Sequence, residues 1–426
     1  MSLLKSLSEP RIWVLLFVFL CQLVFASPEL MLICMAIAGT WLFLRRRKQP
    51  NFTALPVAAG HAMWLVPLFF VSVFFFKLLS ATWALVPKEA IDSAFNSFHF
   101  LLWPALVVYI RNANLSVRRA EPWIAVSMLV LMLWYLGARF FFPMSIDAQC
   151  FKAGAHNCGL LGQTMAFMLL WLFIAVTRPD SRGVNRMLLV GGLLAGWIAF
   201  LGTIRRTEML GLLLGMAVVL VWRFNERISI KRVVVTLGLC VAVLVMAWPV
   251  MASRFSIVTQ EVSMYFQGGA ARGQALHTSV GARLEMYRVA LEAIEERPLL
   301  GWGAGLKPRN VPQYATDPQN PYAFSNFHQQ YLQVILEVGL IGGLLAFIMV
   351  GYICRQMIVV PWRQGHRELV AIVAALFFTY AWKALANGAL LYSVTNSVFV
   401  FFSAWVWAEL MCANNNARLD QLPVHS

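Results

Sequence analysis

The sequence predicts an all-α, polytopic membrane protein of about 12 transmembrane helices with one large external loop that itself contains helix. Three observations carry this. Of the 426 residues, 60% are hydrophobic and 12% are charged, whereas a soluble globular domain carries about 25% charged residues. Apolar runs of about 20 residues recur from end to end, each long enough to cross a bilayer as a helix. The basic residues collect in alternate short loops between those runs, as membrane topology requires.

Taken in order, the runs fall at 12–26, 28–44, 62–80, 92–110, 122–142, 159–177, 187–204, 209–222, 233–252, 330–352, 368–386 and 389–411. The first has Lys5 and Arg11 before it and Ala26-Ser27 after it, which resembles a signal peptide. A second run follows at once and ends at Arg45, so the pair reads as a membrane hairpin. Every even-numbered exit is basic: Arg45 to Lys48, then Arg111, Arg118 and Arg119, then Arg178, Arg182 and Arg186, then Arg223, Arg227, Lys231 and Arg232, and finally Arg355, Arg363 and Arg367. Those loops are expected on the cytoplasmic side, together with both termini, and the odd-numbered exits face outward. The net charge of +15 is distributed for topology. No basic soluble segment exists to hold nucleic acid.

Five of the seven cysteines (Cys21, Cys34, Cys240, Cys354 and Cys412) lie in or beside apolar runs and read as small core residues. Cys150 and Cys158 share one short outward loop, where they either pair as a disulfide or stay as thiols. No metal-ligand spacing joins Cys and His. Lys77 and Lys383 are the main charges inside apolar runs.

Two outward segments break the charge rule. One is the tight turn Ile204-Arg205-Arg206-Thr207-Glu208 between the seventh and eighth runs. The other is the loop 253–327 between the ninth and tenth, with Arg254, Arg272, Arg283, Arg288, Arg297, Lys307 and Arg309. The chain is expected to be one membrane domain, 1–426, with this loop folded over it. Positive charge on the trans side opposes the insertion preference, and an anionic ligand at the outer face supplies a reason for it.

Within the loop, 283–297 reads as a helix stopped by Pro298. Leu284, Tyr287, Ala290, Leu291 and Ile294 recur at helical spacing, and Glu285, Arg288, Glu292, Glu295 and Glu296 form the polar face. Arg288 is placed to pair with Glu285 and Glu292. Arg283 falls in the apolar arc, a guanidinium directed at whatever the helix packs on. Gly301-Trp-Gly-Ala-Gly305 follows; with no strand before it, it reads as a turn and not a phosphate cradle. Pro308 to Pro321 reads as loop. Next comes Asn326-Phe-His-Gln-Gln-Tyr331, which puts His328 where the loop re-enters the membrane. Gly339, Gly342 and Gly343, farther along the same run, suggest close helix packing.

Together these features resemble the superfamily of O-antigen ligases and polymerases, with closest similarity to the lipopolysaccharide O-antigen ligases of Gram-negative bacteria. The family signature is a His followed by Asn, Ser or Gln, then nine residues, then Gly-x-x-Gly and another small residue. His328-Gln329 and Gly339-Leu-Ile-Gly342-Gly343 fit it. A second block, an Arg at the outer end of a helix pair, fits Arg206-Thr-Glu-Met-Leu better than it fits Arg205, and a third fits Arg283 and Arg297-Pro-Leu-Leu-Gly-Trp-Gly. The resemblance covers 190–345 in motif and the whole chain in layout. It implies an enzyme of the bacterial inner membrane that transfers a glycan from an undecaprenyl-diphosphate-linked donor to a hydroxyl of lipid A-core at the periplasmic face. Arg206 and Arg283, with Arg205, would clamp the diphosphate, and His328 would act as general base. Back-side attack implies inversion at the anomeric carbon. With no Asp-x-Asp in the chain, transfer without metal or other cofactor is expected. The alternatives are an O-antigen polymerase, a protein-glycosylating relative and, in a different class, a polysaccharide-lipid transporter or flippase.

Overall fold

The computed structural model describes residues 9–23, 27–46, 65–141, 150–153, 158–178, 180, 183–225, 238, 256–311, 326–390 and 392–419. Its principal helices are α1 (Pro10–Leu20), α2 (Ser27–Arg46), α3 (Leu65–Ser80), α4 (Pro87–Phe95), α5 (His99–Ala113), α6 (Glu121–Phe141), α7 (Cys158–Val176), α8 (Gly183–Gly202), α9 (Arg206–Asn225), α10 (Gly269–Leu276), α11 (Ser279–Glu296), α12 (Gln330–Cys354), α13 (Arg367–Ala386) and α14 (Ser393–Leu419). No strand occurs among the described residues. Eight described stretches are long and apolar enough to cross a membrane, and α1 and α3 are shorter apolar helices. The chain is thus an all-α, multi-pass membrane protein. The ninth expected span lies outside the described residues apart from residue 238, as do 312–325 and Cys240.

The sequence of α7 is apolar on all sides, and such a helix belongs at the centre. Within its membrane span 94% is buried, against 22% for the span that contains α12. Helices α6, α8, α9, α13 and α14 pack around α7. An aromatic seam fills the other half of the bundle. Phe17 stacks on Phe401 at 3.9 Å, and Phe70 on Trp103 at 4.6 Å. Two of the buried indoles have partners: Trp103 Nε1 donates to Ser403 Oγ (3.1 Å) and Trp405 Nε1 to the Leu115 carbonyl (2.8 Å).

Some expectations need correction. The run 92–110 is two helices, α4 and α5, joined by a turn at Asn96–Phe98. The turn's polar groups are satisfied from outside: Lys77 Nζ donates to Ser97 Oγ (2.7 Å) and Asn396 Nδ2 to the Asn96 carbonyl (3.1 Å). Lys77 and Lys383, expected inside the spans, lie in the last turns of α3 and α13. Among the described cysteines outside the Cys150–Cys158 loop, only Cys21 is buried, and Cys34 is exposed on α2.

The two ends of the bundle differ. One gathers the basic loops: Arg178 pairs with the buried Glu121, Arg118 with Asp180 at 3.0 Å, and Glu409 accepts from Val117 N (2.6 Å) and Ser116 Oγ (2.9 Å). The opposite end carries the disulfide Cys150–Cys158. Phe151 N donates to the Gly202 carbonyl (2.9 Å), which fixes that loop to the end of α8. For a cross-link between cysteines eight residues apart in sequence, loop-closure entropy gives about 2–3 kcal/mol. Reductant is therefore expected to lower the thermal unfolding midpoint of the wild type and to leave a Cys150→Ser/Cys158→Ser variant unchanged.

Beyond this end the segment after residue 255 folds as a helix at 256–267, then α10 and α11. Helix α11 starts at Ser279, ahead of the expected Arg283, because Thr278 caps it by accepting from Gly281 N (3.1 Å). Its buried face holds Met286, Val289, Ala290 and Ala293, while Leu291 is 54% exposed. Glu285, assigned by periodicity to the solvated face, is wholly buried. The helix at 256–267 and α10 cover that side and bring Tyr265 Oη (2.8 Å) and Arg272 Nη2 (2.7 Å) to its carboxylate. Arg288 pairs with Glu285 (2.6 Å) and Glu292 (2.5 Å), as its spacing implied.

The glycine-rich segment is a turn with a definite task. Helix α12 is broken at Gly339, whose φ of 66° and ψ of −176° are non-helical. The turn fills the gap in the ladder. Trp302 N donates to the Leu336 carbonyl (2.9 Å), Gly303 N to that of Glu337 (2.9 Å), and Leu340 N to that of Pro298 (2.7 Å). Arg297 lies over the Trp302 ring at 4.1 Å and steadies the turn's entry. Gly339 therefore serves a backbone break and not the close helix packing read from its sequence.

Candidate functional site

At the end of the bundle that carries the disulfide, the α8–α9 turn, the helix at 256–267, α11 and the last turn of α13 enclose an open-sided cavity of about 340 Å³. Arg205, Arg206, Glu208, Arg283, Lys383 and Asn387 line it, and a second carboxylate, Glu261, faces them.

Each side chain is placed by local structure. Ile204, with φ of 53°, turns the chain sharply after α8. The Arg205 carbonyl accepts from Met209 N (3.0 Å), so Arg205 caps α9 and Arg206 is its first residue. The positive end of the α9 dipole then adds to both guanidiniums. Arg205 is the more buried of the two, and its Nη2 donates to Cys158 Sγ (3.1 Å). Arg283 reaches the cavity from α11, on the side its helical phase implied. Among the described residues it forms no ion pair.

His328 stands just behind this wall. It is not part of the cavity lining, but Asn387, which is, hydrogen-bonds to its side chain. The backbone holds His328 at φ 53°, a left-handed conformation that His adopts more readily than most residues. Asn326 Oδ1 accepts from His328 N (2.8 Å), and Tyr287 Oη donates to the His328 carbonyl (3.4 Å). Gln329 caps α12 by accepting from Leu332 N. That gives the position after the histidine its chemistry: Asn and Ser are good helix caps, and Gln does the same here. One turn on, Gln333 accepts from Phe327 N (3.1 Å) and donates to the Leu306 carbonyl (2.8 Å) and to Glu337 (2.6 Å), which locks the start of α12 to the glycine-rich turn.

Electrostatics suit a base. Burial, and then the charges of Arg283 and Arg205, push His328 below the ordinary histidine range, against the opposing effect of the Asn387 hydrogen bond. The imidazole is therefore neutral at neutral pH and has a lone pair to offer. The three arginines and His328 singled out in the sequence thus come together around one cavity, from segments up to 123 residues apart (205 to 328). Asn387 and the Lys383–Glu208 ion pair join them and were not assigned to the site from sequence. The signals in the sequence were Lys383, a charge within an apolar run, and Glu208, a charge in the arginine turn.

Residues 191–347 match the family model described as O-Antigen ligase. Comparison with curated proteins gives no match. The matched stretch contains all three arginines and His328, so over it the chain is similar to the O-antigen ligase family.

Proposed function

We propose that this protein is an O-antigen ligase of the bacterial inner membrane. It transfers a glycan from an undecaprenyl-diphosphate-linked donor to a hydroxyl of lipid A-core, without metal and with inversion, at a periplasmic site where the loop 253–327 meets the membrane, both termini being cytoplasmic. The observation that carries this reading is the convergence of Arg205, Arg206 and Arg283 on one cavity, with a neutral histidine directly behind it.

The chemistry follows from those groups. A guanidinium binds phosphate bidentately and keeps its charge, so the arginines hold the diphosphate and meet the negative charge that grows as it departs. Such fixed cations in a partly dry site do the electrostatic work otherwise given to a divalent ion. His328 accepts the proton of the acceptor hydroxyl as the new glycosidic bond forms and the bond to the diphosphate breaks. The disulfide at this end supports an oxidising compartment, and the basic loops at the other end support a cytoplasmic face. Lys77 and Lys383 lie in last turns, away from mid-membrane, which weakens the transporter alternative.

The test is a lipopolysaccharide gel from a deletion strain with and without the wild-type gene. Bare core in the deletion, with polymer retained on its lipid carrier and long-chain lipopolysaccharide restored by complementation, is expected. Core bearing a single repeat would assign the polymerase reaction instead.

A further inference from the structure

The last turn of α13 joins the two motif-bearing parts of the site. Trp382 Nε1 donates to the Thr207 carbonyl (2.6 Å) on the α9 side. Tyr331 Oη donates to the Ala381 carbonyl (3.0 Å) on the α12 side. Packing is flush here, since a Cβ at Gly211 of α9 would stand 2.3 Å from the Trp382 ring. Lys383 is thereby held from both sides with its ammonium at the cavity wall, where it pairs with Glu208. The two side chains are only 5% and 4% exposed.

A buried ion pair adds little to stability compared with apolar packing, so stability alone is a weak reason for this one. Its place is more informative. An ammonium has three N–H donors. Glu208 takes one, and the Gly159 carbonyl lies at 3.4 Å from a second. The third remains for an occupant of the cavity. Around that cavity Arg205, Arg206, Arg283 and Lys383 outnumber Glu208 and Glu261, which leaves an excess of positive charge. A diphosphate esterified at both ends carries one ionised oxygen on each phosphorus, and it neutralises such an excess without a metal ion.

We propose that Lys383 is a further ligand-binding residue of this site: it contacts the anionic group of the donor directly, and Glu208 holds it in position to do so. This rests on the donor reading above. It brings into the site a residue that lies outside the matched stretch 191–347.

The test is calorimetric binding of inorganic diphosphate to the purified full-length protein in nanodiscs, with thermal unfolding recorded for each variant. Arg283→Gln serves as the control on the donor reading. Lys383→Met is expected to weaken binding roughly 10- to 100-fold, the range for a lost charge-assisted hydrogen bond. Because Lys383→Met strands a buried Glu208, the decisive variant is Lys383→Met/Glu208→Gln, which removes both charges. Weak binding by this double variant, with a near-wild-type unfolding midpoint, supports the proposal. Wild-type binding by the double variant while Arg283→Gln is weakened reduces Lys383 to a counterion and overturns the proposal alone. No binding of diphosphate by the wild type overturns the donor reading and this proposal with it.

Discussion

His328→Asn should lose roughly 10²–10⁴ of the transfer rate, about 3–5 kcal/mol of transition-state stabilisation, while its thermal unfolding midpoint stays close to wild type. Asparagine is the informative replacement. It tolerates the left-handed backbone at this position (φ 53°) and keeps a polar side chain beside Asn387, but it cannot take a proton at neutral pH. Alanine would mix the loss of the base with backbone strain. The pH profile gives a second check. Since burial and the two arginines depress the His328 pKa, the wild-type rate should fall on acidification only below the ordinary histidine range. Removing a neighbouring cation favours the protonated imidazole, so Arg283→Gln should move the acidic limb to higher pH. An unchanged rate in His328→Asn, measured on purified donor and acceptor, would remove the histidine from the chemistry.

The second large effect is structural. Gly339→Ala is expected to destabilise the protein by about 3–5 kcal/mol and to remove most folded protein from the membrane fraction. The backbone there, at φ 66° and ψ −176°, lies in a region that is essentially restricted to glycine. A Cβ would sit 2.1 Å from the Leu299 carbonyl oxygen, a backbone atom fixed by the glycine-rich turn. Gly343→Ala, four residues on in the same motif, meets only Ile335 Cγ1 at 3.5 Å, which is ordinary contact. That variant should cost less than about 1 kcal/mol, since alanine also favours the helix. The pair separates two explanations of one motif. If small residues were needed along α12 for close packing, both substitutions would harm it. If the motif exists to break the helix, only the first will. Fluorescence-detected size exclusion with a melting series reads either outcome.

Much of this arrangement was legible in the sequence. The membrane layout rests on composition, run length and loop charge, which act locally and need no tertiary information. Arg283 was placed correctly because helical phase alone directed it toward the packed side of α11. Glu285 was misplaced by the same rule, since its partners Tyr265 and Arg272 come from neighbouring helices that periodicity cannot see. The break at Gly339 sits within the apolar run 330–352, where hydropathy carries no trace of a backbone dihedral. Asn387 lies 59 residues after His328 (328 to 387) with no local pattern around it, and only the packing of α12 against α13 brings the two together.

The way α13 spans the site bears on what part of this protein is exchangeable. The arginine turn and the His328 segment both fall within residues 191–347, so that stretch looks like a self-contained cassette. Yet the two are joined through Ala381, Trp382 and Lys383, which belong to a helix beyond its end. A graft of 191–347 into a related scaffold would carry the three arginines and His328 and leave behind the crosspiece that sets their spacing. The structural unit of this site extends at least to Asn387, and substitutions at 381–387 are expected to disturb the segments they brace.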